Sequence, residues 1–116
     1  MKVYKGIGFP VRAHSWEFIL EHFDGYRPQM AEFVRWLTES KYAHGIFAVT
    51  SLDTLVIGQS KEFDLGRSVI RVDEVGEKFL ITFREGGNAE SQREFSRAEL
   101  IPAFEKLLVS LHWFAD

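Results

Sequence analysis

Four histidines, at positions 14, 22, 44 and 112, are the side chains best suited to hold a metal or move a proton near neutral pH. No two of them stand at the i, i+4 interval that brings a pair to one helix face, and the absence of cysteine excludes every thiolate site. No metal or other cofactor is expected, and each histidine reads as a solvated or core-edge residue. No GxSxG turn marks a serine nucleophile, and Ser15 and Ser96 read as helix caps. The pairs Gly6/Gly8 and Gly86-Gly87 could in principle cradle a phosphate. Pro10 follows the first and a polar strand the second, so neither has the strand, loop and helix that a nucleotide site needs. Glu17, Glu21, Glu32, Glu39, Glu94, Glu99 and Glu105 fall on helix faces or turns where solvation explains them. No catalytic residue is nominated, and the chain reads as a protein without enzymatic activity.

Binding chemistry is better represented. Aromatic residues make up 15% of the chain, and Trp16, Phe23, Phe33, Phe79 and Phe104 fit stripes that a core would bury. Trp36 lies off the apolar centreline of its helix, and Tyr26, Tyr42 and Trp113 fall at element ends, where amphipathic rings mark contact surfaces. Arg71 and Arg84, with Leu80 and Thr82, share the outward face of a hairpin, and Arg93 extends the group from the next strand. An arginine fork presents five donors and suits an acidic partner. A basic sheet face with aromatics can also stack bases. However, RNA readers of that kind need a βαββαβ order, and this chain orders its elements as helix, helix, strands, helix.

The elements that must position these residues follow from periodicity. Trp16, Ile19, Leu20 and Phe23 recur at i, i+3, i+4 and i+7 behind Ser15, which predicts a helix that Asp24-Gly25 ends. Pro28 suits the first turn of a second helix, whose stripe is Met30, Phe33, Val34 and Leu37. The two should form a hairpin. The near-continuous run from Ile46 to Thr50 has the character of a central strand, and Ser51-Leu52-Asp53 turns it into a second strand over Thr54 to Ile57. Residues 59–66 read as a loop anchored by Phe63 and Leu65, and residues 1–12 as an edge strand or an ordered arm. Between Ser68 and Arg84 a hairpin turns at Val75-Gly76; opposed residue numbers summing to 151 place Ile70 against Ile81 and Val72 against Phe79. A Gly-Gly-Asn turn then leads to a polar edge strand over Ser91 to Phe95. Ser96 and Glu99 form a capping box, stapled by Phe95 and Leu100. The final stripe, Leu100, Ile101, Phe104, Leu107, Leu108 and Leu111, should lie buried on the sheet. Glu99, Ala103, Lys106 and Ser110 are left to solvent, and Pro102 delays the regular helix to its own position.

With 116 residues the chain has the length of one domain, large enough to bury a core without disulfides. Segregated rather than alternating elements give an α+β class: an N-terminal helical hairpin, a four- to five-stranded mainly antiparallel sheet, and a C-terminal helix packed on one sheet face. A balance of 17 acidic against 14 basic residues, net charge −3, supplies no field for nucleic acid. No apolar stretch reaches membrane-spanning length and the first residues lack a signal-like apolar core, so a soluble cytoplasmic protein is expected. In size, acidity and lack of cysteine the chain resembles small interaction proteins such as immunity proteins and secretion chaperones. That resemblance implies a non-enzymatic module acting on another protein, with self-association into a homodimer left open. The rival expectation is a small-ligand binder or enzyme with an aromatic-lined pocket between the helical hairpin and the sheet, gated by loop 59–66.

Overall fold

The computed structural model describes residues 11–63, 68–85 and 89–113. Helix α1 (Trp16–Phe23) begins where the Ser15 hydroxyl accepts the Phe18 N–H, and α2 (Pro28–Glu39) begins on Pro28. Gly25, at φ 82°, supplies the left-handed residue that lets the chain turn between them. The stripes face inward: Ile19, Phe23, Met30, Phe33, Val34 and Leu37 are all buried. A short 3-10 turn (Lys41–His44) follows and is tied to α1 by the Trp16 Nε1–H donating to the Ala43 carbonyl at 3.3 Å.

Among the described residues the strands form two sheets: β1 (Val11–Arg12), which precedes α1, pairs with β4 (Glu62–Phe63), and a five-stranded antiparallel sheet is ordered β2-β3-β5-β6-β7. Its members are β2 (Phe47–Ser51), β3 (Thr54–Gly58), β5 (Val69–Val75), β6 (Lys78–Glu85) and β7 (Ala89–Ser96). One face carries Ala48, Leu55, Ile57, Ile70, Val72, Phe79 and Ile81 into the main core beneath the helices. The other face carries Val49, Val56 and Val69, which pack under Phe63 of the β1/β4 ribbon. Helix α3 (Leu100–Ser110) lies beside α2, with the Phe104 ring edge-on to Phe33 at 5.2 Å. Among the described residues no helix is long and apolar enough to cross a membrane.

The α+β architecture is as expected from the segregation of elements, while four details differ. First, the run around Val49 forms an edge strand, not a central one. Its continuous apolarity reflects burial on both faces, by the main core and by the Phe63 ribbon. Its open side is partly closed by His14, whose N–H donates to the Ala48 carbonyl at 2.9 Å and whose Nδ1 accepts the Thr50 N–H at 3.2 Å. Second, paired numbers in the β5–β6 hairpin sum to 153, so Ile70 faces Phe83 and Val72 faces Ile81. The 151 register would have opposed Glu74 to Glu77 and put β-branched Val75 at the first loop position. The observed loop instead places Gly76 there with φ 64°. A slip of two residues keeps every side chain on its face.

Third, the capping box is only half formed. Glu99 accepts the Ser96 N–H at 2.9 Å, but Ser96 ends β7 and the helix starts at Leu100. Pro102 then sits in the first turn, where no intrahelical partner is required of its nitrogen, so it breaks nothing. Fourth, of the α3 stripe only Leu100, Phe104 and Leu108 are buried. Ile101, Leu107 and Leu111 are half-covered. In loop 59–66, Phe63 is the buried anchor expected, and Leu65 lies outside the described residues. The same is true of residues 1–10 and of the Gly86-Gly87-Asn88 turn.

Candidate interaction groove

The helical hairpin meets the sheet in packed core, and Phe63 holds the preceding loop on the opposite sheet face. A groove of about 620 Å³ lies between α3 and strands β6 and β7. Phe83, Arg93 and Phe95 floor it, and Pro102, Lys106 and Leu107 wall it.

Local rules build this groove. Phe95 opposes Phe79 and Arg93 opposes Ile81, so the two-residue period of β7 turns Phe95 and Arg93 toward the helix layer. Gln92 and Glu94 point to the other side, where Glu94 meets Lys78 at 3.6 Å. The turn at residues 97–99 is held by Glu99 on Ser96 and by an ion pair from Arg97 to Glu32 of α2. That turn sets α3 against α2, leaving its other flank raised over β7. Tyr42 pins α3 from the far side through its O–H to Glu105 at 3.1 Å. At its other end α3 closes with the Trp113 N–H on the Leu108 carbonyl and the His112 N–H on Val109, with His112 at φ 60°; this delivers the Trp113 ring to the edge of Phe83.

The electrostatics are one-sided. Arg93 on the floor and Lys106 on the wall are both exposed, with no hydrogen bond or ion pair among the described residues. Glu99 is the carboxylate in the lining, and the Ser96 backbone N–H that it accepts holds it below the usual carboxylate range. Strand β7 pairs only with β6 among the described residues, so the groove runs beside an open sheet edge.

The residues singled out from sequence scatter. Arg71 and Arg84 do share the outer face with Leu80 and Thr82, since Arg71 opposes Thr82, and both arginines are half-buried. Arg93 does not extend that group; strand parity puts it on the helix side. Trp36 stacks on Phe33 at 6.0 Å and packs against the core, Tyr42 is 5% exposed, and Trp113 is half-buried. Of the four aromatics only Tyr26 stays largely in solvent, with its O–H on Asp53 at 2.7 Å. It belongs to a second cluster at the β2–β3 turn. There Arg27 also binds Asp53 at 3.0 Å, His22 Nε2 meets the Leu52 carbonyl at 2.8 Å, and Leu52 is held at φ 57°. The hydrogen bonds from Tyr26 and Arg27 push the Asp53 carboxyl down. Among the described residues no three His, Asp or Glu side chains converge as a metal site would require.

Lys106, Pro102 and Phe83 were not singled out, because each has an ordinary explanation by itself as a solvated face, a helix start or a core residue. The legible signal was the parity of β7: Phe95, placed inward by the helix start, carries Arg93 inward with it. Comparison with family models, with curated proteins and with solved structures finds no match, so the functional reading rests on side-chain geometry.

Proposed function

We propose that this chain is a non-enzymatic protein-interaction module, an inhibitor or accessory protein for one partner, working in the cytoplasm and docking along β7 and the groove beside it. The observation that carries the reading is the juxtaposition, among the described residues, of an open sheet edge with an apolar groove bearing two unpartnered cations. Sheet edges are normally closed, and β2 at the other end of this sheet is met by His14. Strand edges and grooves are standard surfaces for capturing a partner segment.

A photo-crosslinking amino acid placed at Ala103 in the groove, with Val75 at the exposed β5–β6 turn as control, tests it in cells of the source organism. A single stoichiometric adduct from position 103 and none from position 75 is expected. No adduct at 103, or the same adducts from both positions, would overturn it. The volume also falls within the range of small-molecule sites, so a second reading is a ligand binder using this groove. A thermal-shift screen separates the two, because a ligand at a hundred times its Kd stabilises by about 2.7 kcal/mol.

A further inference from the structure

We propose that the groove recognises an extended segment of a partner protein that joins β7 as a sixth strand and places a carboxylate between Arg93 and Lys106, with apolar side chains on either side. This rests on the reading of the chain as an interaction module and names the chemistry of what it captures.

Three observations converge on it. Among the described residues the outer edge of β7 offers a row of unpaired backbone groups, and a strand added there lies about 4.8 Å away with alternate side chains turned toward the helix layer. The helix-side row of β7 is Ser91, Arg93 and Phe95, so an added strand meets a cation flanked by an apolar and a small polar residue. The charge pattern selects the sign. In a chain of net charge −3, Arg93 and Lys106 have no partner across the groove among the described residues, while the nearby carboxylates are engaged or turned away. Glu99 is occupied by Ser96 N–H, Glu94 by Lys78, and Glu90 lies on the outer face opposite Arg84. An incoming carboxylate thus finds two cations against the single lining carboxylate of Glu99, which the Ser96 N–H already engages, and Arg93 can bind it in two-pronged fashion. The apolar lining from Phe83, Phe95, Pro102 and Leu107 rewards Val, Ile or Phe two residues before and after the acid, the alternation an extended strand imposes.

The experiment is selection of a random phage-displayed dodecapeptide library on the full chain, followed by anisotropy titration of the enriched peptide. Enrichment of Asp or Glu flanked at two-residue spacing by apolar residues is expected. Arg93→Glu with Lys106→Glu should weaken that peptide at least tenfold, and a peptide with Lys in place of its acid should bind the charge-reversed protein better than the native one. Arg93→Gln with Lys106→Gln, verified by an unchanged melting curve, serves if the reversed variant folds poorly. No enrichment, a consensus without an acid, or affinities within twofold across the variants would overturn the proposal. A groove adduct at Ala103 combined with such a result would leave the interaction reading standing and remove only this occupant. Absence of the adduct removes the interaction reading itself.

Discussion

Phe104→Ala removes the ring on which the packing of α3 turns. Phe104 is 0% exposed, with its ring edge-on to Phe33 at 5.2 Å and to Trp36 at 6.4 Å. Truncating a buried phenylalanine costs about 3–5 kcal/mol, the lost transfer energy plus the cavity left behind. Each edge-to-face pair adds about 0.5–1.5 kcal/mol beyond area, which puts this site toward the upper end. At 0.05–0.15 kcal/mol per residue, a chain of 116 residues has roughly 6–17 kcal/mol in total. The variant should fold with a sharply reduced margin. Urea unfolding followed by far-ultraviolet circular dichroism should show a lowered midpoint with an unchanged slope. A double-mutant cycle of Phe33→Leu with Phe104→Leu should show coupling, while Lys106→Ala on the exposed flank should stay within about 0.5 kcal/mol. A loss below 1 kcal/mol for Phe104→Ala would refute the placement of α3 on the core.

Four further outcomes are expected. Leu52→Gly should stabilise by about 0.5 kcal/mol, because it relieves a positive φ of 57° at a side chain 62% exposed, with the entropy of glycine offsetting part of the gain; a loss above 1 kcal/mol in urea melts would contradict it. Gly58→Ala should cost about 1–3 kcal/mol, since the new Cβ would lie 2.9 Å from the Phe63 ring, and Phe63→Leu in the same chain should recover part of it; an unchanged melt would refute the contact. Burial, then the charge of His22, push the His14 imidazole below its ordinary value of 6.5, so the unfolded chain takes up the proton first. The stability His14 contributes is therefore full above 6.5 and declines as pH falls through it, and His14→Asn should flatten the melting temperature between pH 7 and pH 5.5 or the assignment fails. Asp53 and Glu99, both held low, contribute stability above their ordinary values that is lost at more acid pH, and Asp53→Asn with Glu99→Gln should shrink that acid limb.

The helices were legible because one-sided burial writes itself as a 3.6-residue stripe. Ser15, Pro28 and the Met30 to Leu37 pattern each reappear in the roles their types dictate. The position of β2 was not legible, because Val49 and Ala48 are apolar for two different covers, and a sequence does not say whether a neighbour is a strand or a ribbon. Turn chemistry favours the observed register, since Gly76 takes a positive φ without steric cost where Val75 would not, but matching apolar pairs alone favoured the wrong sum. At the site, isolated residues misled. Tyr42 and Trp36 stand at an element end and off a stripe, yet the 3-10 turn folds them into the core beside Phe104. The groove depends on Arg93 and Lys106 meeting from elements separated in the chain, which no spacing encodes.

Hydrogen–deuterium exchange of the chain, alone and with the partner recovered through the Ala103 crosslinker, tests the central claim most directly. Slowed exchange should appear across β7 at residues 89–96 and along the flank of α3, because a captured strand satisfies the open edge and covers the groove. The outer β5–β6 turn and the β2–β3 turn should exchange at their free rates. Protection confined to those turns or to α1, with β7 unchanged, would contradict the account.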